Sequence, residues 1–150
     1  MKEERERIQK FLERRLPDIL LDGFFLGSEL IPQREPRFGA ESGITAKISS
    51  DAPFPGEFFF CAKNTVAREM SMALLGSEDP YEVDDIMAEL ANVVAGRIAL
   101  DLQFDSDREP KIGLPKVGQD LFPPPKSLDI HLRFRVEDSH LAVGWKAARS

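Results

Sequence analysis

The sequence predicts an α+β domain, an antiparallel-rich sheet with long helices packed on it, and three observations carry that expectation. Apolar residues recur at spacings of three and four near the start of the chain and again in the run that follows Asp79, the period of a helix with one buried side. Apolar and polar residues alternate from Ile44 and again from Leu128, the period of a strand. With 150 residues and a mass of 16.9 kDa, the chain has the length of a single domain, residues 1–150, able to bury a sizeable core.

The first helix is expected at about residues 3–21, where Ile8, Phe11, Leu12, Leu16, Ile19 and Leu20 form one stripe among Lys, Arg and Glu. It should pack on its own domain, and Pro17 should kink it or end its regular first part. A loop rich in Pro, Arg and Gly follows (Pro32–Gly39). Ile44, Ala46 and Ile48 alternate with Thr45, Lys47 and Ser49, which predicts a half-exposed strand. Phe58-Phe59-Phe60-Cys61-Ala62 is apolar at consecutive positions and predicts a central strand, with Cys61 as a buried small hydrophobe. A helix from Asn64 to Gly76 should take its cap from Asn64 or Thr65 and end on a left-handed glycine. Asp79-Pro80-Tyr81-Glu82 combines a capping acid, a proline at the first helical position and an acid three residues after the cap, so a helix should run from there to about Phe104. Residues 110–126 read as loop with one short strand. Leu128, Ile130, Leu132, Phe134 and Val136 alternate with polar residues, and Leu141, Val143 and Trp145 repeat the pattern after Glu137-Asp138-Ser139-His140, which predicts a hairpin. His131 should lie on its polar face and His140 in its turn, both solvated.

Composition excludes several classes of function. Hydrophobic residues make up 42% and charged residues 31%, the balance of a folded water-soluble chain. No apolar run approaches the roughly 18 residues of a membrane span. The first residues are mixed in charge and do not form a secretory signal, so a cytoplasmic protein is expected. Cys61 is the only cysteine, which forbids an intrachain disulfide, and two histidines argue against a zinc site. The net charge of −6 divides into +2 over residues 1–15, −11 over residues 16–107 and +3 over residues 108–150. Such an acidic middle repels phosphate backbones, so neither nucleic acid nor an anionic membrane is expected as a partner. The sequence contains no Gly-Lys-Ser/Thr phosphate loop and no G-x-G-x-x-G. Gly39-Ala40-Glu41-Ser42-Gly43 sets its serine one residue too late for a nucleophile elbow.

The informative segment is Asp85-Ile86-Met87-Ala88-Glu89-Leu90-Ala91-Asn92-Val93-Val94-Ala95-Gly96. At about 100° per residue, Asp85, Glu89, Asn92, Gly96 and Gln103 share a narrow stripe, with Ala88 and Ala99 beside it. Ile86, Met87, Leu90, Val93, Val94, Ile98 and Leu102 form the core-facing side. A merely solvated face would carry long charged side chains, whereas this one carries alanines and a glycine that costs roughly 1 kcal/mol relative to alanine in mid-helix. Small residues around Glu89 and Asn92 let another surface approach the helix closely. The alternative is that Gly96 packs against a strand of its own domain and that Glu89 and Asn92 are ordinary exposed residues.

Asp85-x-x-x-Glu89-x-x-Asn92 resembles the D/S-x-x-x-E-x-x-N signature of the CheX/CheC/FliY family of chemotaxis phosphatases. Residues 89–96 also resemble the longer CheX form, E-L-x-N-φ-φ-x-G with φ apolar. The preceding strand, the Asn64–Gly76 helix and Leu114-Pro115-Lys116-Val117 fit the same pattern, and the resemblance covers roughly residues 40–147. A single motif is present, as in CheX and unlike two-motif CheC chains. CheX-type proteins usually carry asparagine straight after the glycine, where Arg97 stands here, a departure that bears on partner fit more than on chemistry.

The resemblance implies a phosphatase that hydrolyses the aspartyl phosphate of a response-regulator receiver domain. An acyl phosphate is already activated, so the enzyme chiefly needs water held in line with the phosphorus. Asn92 would orient that water with a carboxamide that both donates and accepts. Glu89 would pair with a lysine of the receiver, while Asp85, Ala88 and Gly96 would complete the partner-binding surface, Asp85 also favouring the helix start. Any Mg²⁺ would belong to the receiver, and no cofactor or metal of the chain's own is implied. A homodimer is suggested as well. The alternative from another class is a catalytically silent interaction module of the same superfamily, binding a receiver domain or a flagellar switch partner. A remoter one is a small-ligand binding domain using the same helix groove. The presence of both Glu89 and Asn92 favours the enzyme.

Overall fold

The computed structural model describes residues 2–32, 41–52, 54–77, 79–102 and 111–148. Three helices, α1 (Lys2–Phe24), α2 (Asn64–Leu75) and α3 (Pro80–Asp101), pack on one side of a sheet built from β1 (Ser28–Leu30), β2 (Ile44–Ala52), β3 (Gly56–Ala62), β4 (Lys111–Ile112), β5 (Lys116–Gln119), β6 (Ile130–Val136) and β7 (Ser139–Ala147). The strand order is β1-β6-β7-β3-β2-β4, with β5 also on β2, and every pairing is antiparallel. The sheet is therefore α+β in the sense the residue periods predict.

Helix α1 begins as expected and runs through Pro17 to Phe24. A proline inside a helix removes one hydrogen bond and costs about 3 kcal/mol. Ile8, Phe11 and Leu12 on one side of it and Leu16, Ile19, Leu20 and Phe24 around and beyond it are all buried, and that burial holds the two halves together. The helix ends in a left-handed turn. Leu26 donates its N–H to the Leu20 carbonyl at 3.1 Å, and the residue that turns is Phe25, with φ 57° and 66% of its surface exposed. Glycine is the usual occupant of that position because a side chain is strained there. Phe25→Gly is therefore expected to raise the unfolding free energy by up to about 1 kcal/mol, read from the urea midpoint at unchanged slope.

The β2–β3 hairpin pairs Ile44 with Ala62 through Ser50 with Gly56, and β7 lies on the other side of β3, pairing Trp145 with Phe58. Ile44, Ala46, Ile48, Phe58, Phe60, Val143 and Trp145 meet the buried faces of the helices in one core. Central placement of β3 agrees with its unbroken apolar run. The far face of β2 is exposed at Ser49 and Asp51 and partly exposed at Lys47, as expected, but Thr45 is fully buried there beside its cross-strand neighbour Cys61. The reason lies in residues 120–128, which fold over that face so that Phe59, Cys61, Phe122, Ala142 and Leu128 form a second, smaller cluster. Burial pushes the Cys61 thiol pKa up, away from the reactive thiolate. The stretch read as loop with one strand holds two, β4 and β5, both paired with β2, and a 3-10 turn at Pro125–Ser127.

The β6–β7 hairpin turns on Glu137 and Asp138. His131 is not solvated as expected. Its Nε2 lies 3.3 Å from Glu41 Oε1, its ring sits 5.6 Å from that of Phe122, and Arg133 Nε reaches the same Glu41 oxygen at 3.1 Å. His140 is in β7 opposite Arg135 rather than in the turn, and burial, with Arg133 nearby, pushes its pKa below the ordinary value.

Candidate functional site

Two different ends position α2 and α3. Helix α2 is capped at Lys63 with no side-chain hydrogen bond, so neither Asn64 nor Thr65 is the cap. Asn64 is instead the first helical residue and its Oδ1 accepts from Gln119 Nε2 of β5 at 3.5 Å. Gly76 closes α2 in the left-handed conformation (φ 70°), its N–H donating to the Met72 carbonyl at 3.0 Å. Only a short turn then separates α2 from Asp79, whose carboxylate accepts from the Tyr81 N–H at 2.9 Å and caps α3. The reciprocal bond of a capping box would come from Glu82, but here Ser77 Oγ accepts from the Asp79 N–H at 3.0 Å.

Helix α3 lies chiefly over β2 and touches α1 and α2 on its flanks. Val83, Ile86, Met87, Leu90, Ala91, Val94, Ala95 and Ile98 are buried beneath it. Arg7 of α1 donates to the Leu102 carbonyl at 3.1 Å and ties down the far end. The helix is thus held along its inner side, and its outer side is the surface the residue spacing describes.

Asp85, Glu89 and Asn92 are exposed on that outer side, with Ala88 and Gly96 partly exposed among them. Neither Glu89 nor Asn92 makes a side-chain hydrogen bond or ion pair with any described residue. Ala99 departs from expectation because it is buried, the helix ends at Asp101 with Leu102 as its C-cap rather than near Phe104, and Gln103 lies outside the described residues. Arg97 is exposed but stands about 140° around the helix from Asn92 and about 80° from Glu89. It therefore does not share the face that the two polar residues occupy. Gly96 bears on one part of the alternative reading, that it packs against a strand of its own domain. A Cβ built there would meet nothing within 4 Å, so no described strand needs the glycine.

The carboxylate and the carboxamide stand three residues apart on one rigid helix, where residues that far apart are neighbours. That spacing suits one group to pair with a cation while the other holds a water or polar ligand beside it. Among the described residues no group of three or more His, Cys, Asp or Glu could hold a metal ion, and no helix is long and apolar enough to cross a membrane. Residue spacing did not single out Tyr81 and Leu100, exposed apolar residues at the two ends of the same face.

Comparison with known proteins places this geometry in context. The family model for the chemotaxis phosphatase CheX matches residues 44–120, which include β2, β3, α2, α3, β4 and β5. No curated protein matches the chain. Among solved structures, the chain is similar to the chemotaxis protein CheX of Vibrio vulnificus, with 17% identity over 94% of this chain and 95% of that one and a TM-score of 0.74. It is similar to CheX of Desulfovibrio desulfuricans, with 14% identity over 97% and 99% and a TM-score of 0.73. A third similar structure is the CheX-CheY-BeF3-Mg²⁺ complex of Borrelia burgdorferi, with 15% identity over 95% and 98% and a TM-score of 0.63. At such identities the likeness is one of fold.

Proposed function

Since the chain belongs to the chemotaxis phosphatase CheX family, we propose that it hydrolyses the aspartyl phosphate of a response-regulator receiver domain. The observation that carries this reading is the exposed, unengaged pair Glu89 and Asn92 on a helix face left open at Gly96. Glu89 anchors the partner through a lysine near the phosphorylated aspartate. The Asn92 carboxamide accepts a hydrogen bond from a water and holds its oxygen in line with the phosphorus. That water attacks, the bond from phosphorus to the aspartyl oxygen breaks, and the carboxylate leaves with the bonding pair. Inorganic phosphate is released, and the water's surplus proton passes to phosphate or solvent. The receiver would hold any Mg²⁺, which would supply charge neutralisation for the phosphoryl group.

Ala88 and Gly96 let the receiver approach the α3 backbone, and Asp85 borders the contact while favouring the helix start. The protein acts as a single cytoplasmic domain and assembles as a homodimer. The test is phosphate release over time from receivers charged with a small phosphodonor in Mg²⁺, with and without this protein. Acceleration over the receiver's own hydrolysis supports the reading; binding without acceleration identifies a silent interaction module instead.

Gly96 gives a separate prediction. Gly96→Ala fills open space and removes a helix-weakening residue, so it is expected to stabilise the fold by about 1 kcal/mol. The same methyl group intrudes on the docking face, so receiver affinity should fall while the thermal midpoint rises. Titration calorimetry and thermal melts of one variant check both halves.

A further inference from the structure

The acidic, small-residue face of α3 ends in an apolar side chain at each extremity. Tyr81 is 82% exposed and Leu100 is 58% exposed, and neither joins the core. At about 100° per residue, Tyr81 falls roughly 40° to one side of Asp85 and Leu100 roughly 60° to the other, so both lie on the half of the helix that carries Glu89 and Asn92. Tyr81 precedes Glu89 by eight residues and Leu100 follows Asn92 by eight, each about 12 Å along the axis. The two apolar residues bracket the polar pair symmetrically.

Single exposed apolar residues are common on protein surfaces, but these two share one face with carboxylates that also lack a partner among the described residues. No described cation pairs with Asp85 or Glu89, so the face reads apolar, acidic, apolar along its length. Its complement is a surface with a basic centre and apolar rims. The distance from Tyr81 to Leu100 is about 29 Å, the width of a small folded domain rather than of a short peptide. A domain that admits Glu89 and Asn92 into a central cleft brings the rims of that cleft down on either side of them along the helix.

We infer that Tyr81 and Leu100 are docking residues that seat the receiver domain across α3, setting its affinity and leaving the chemical step to Asn92. The inference rests on the reading of Glu89 and Asn92 as the receiver-facing pair.

The experiment measures hydrolysis by Tyr81→Ser, Leu100→Ser and the double variant, with Leu21→Ser of α1 as an exposed apolar control. Binding to the receiver loaded with beryllofluoride and Mg²⁺ is measured in parallel, and urea midpoints verify folding. KM and Kd are expected to rise about ten-fold in each single variant and further in the double, with kcat within about two-fold of wild type and the control unchanged. An active wild type whose KM and Kd do not move in any variant overturns this inference alone. A change in the protein's own molecular mass in place of receiver affinity also overturns it and makes a second copy the occupant of the face. A wild type that binds but does not hydrolyse removes the phosphatase reading, and the Kd values still decide the docking role. A wild type that neither binds nor hydrolyses any receiver overturns both.

Discussion

Asn92→Ala is expected to bind the phosphorylated receiver almost as well as wild type yet to lose hydrolysis by a factor of roughly 10² or more. The side chain is exposed and unengaged, so its removal should leave the fold intact within about 0.5 kcal/mol. What disappears is the group that holds water on the line of attack. An acyl phosphate needs little activation, and its enzymatic hydrolysis depends mainly on that placement. Single-turnover phosphate release, with receiver affinity measured on the beryllofluoride form, separates the two quantities. Equal hydrolysis rates for wild type and Asn92→Ala would remove Asn92 from the mechanism, whatever the fold.

The second large effect concerns Glu89. Glu89→Gln keeps the shape of the side chain and deletes its charge, and Glu89→Lys reverses it. If the carboxylate meets a receiver lysine in a contact closed to water, Glu89→Gln should weaken binding by about 1–3 kcal/mol, or roughly 5- to 150-fold in Kd. Glu89→Lys should weaken it more, because two like charges then meet. Thermal stability should stay near wild type, since Glu89 is exposed and pairs with no described residue. The loss should lie in dissociation rate rather than association rate, because a buried hydrogen-bonded charge acts after encounter. Unaltered affinity together with unaltered turnover would count against the anchoring role.

What the sequence made legible follows the periods of its side chains. Ile8 to Leu20, Val83 to Ile98 and Ile130 to Val136 each repeat at helical or strand spacing, and each became the element that spacing predicts. The α3 face was legible for the same reason, since the angle between Glu89 and Asn92 is a property of the helix alone. Contacts set by distant segments were not. His131 sits among polar residues of β6, and nothing local announces that Glu41 and Phe122 will cover it. Strands β4 and β5 have only 2 and 4 residues and exist because β2 offers them hydrogen bonds. Ala99 lies near the polar stripe by angle but is buried, because an angle around one axis does not report where neighbouring elements lean in. The cap of α2 was missed because Lys63 carries no side chain that signals it.

The strand order has a consequence for how the protein is made. β7, the last strand, lies between β6 and β3, near the middle of the sheet. A nascent chain that has emerged only as far as β5 already contains β2, β3, α2 and α3, but the outer edge of β3 has no partner and Phe58 lacks Trp145 above it. An open strand edge bordered by exposed phenylalanines is the kind of surface that chaperones capture and that aggregates when left alone. Chains truncated near residue 125 should therefore be digested by protease and bind a holdase, whereas chains that include residue 147 should resist both. The helix that carries Glu89 and Asn92 thus acquires its finished support only once β7 has joined β3.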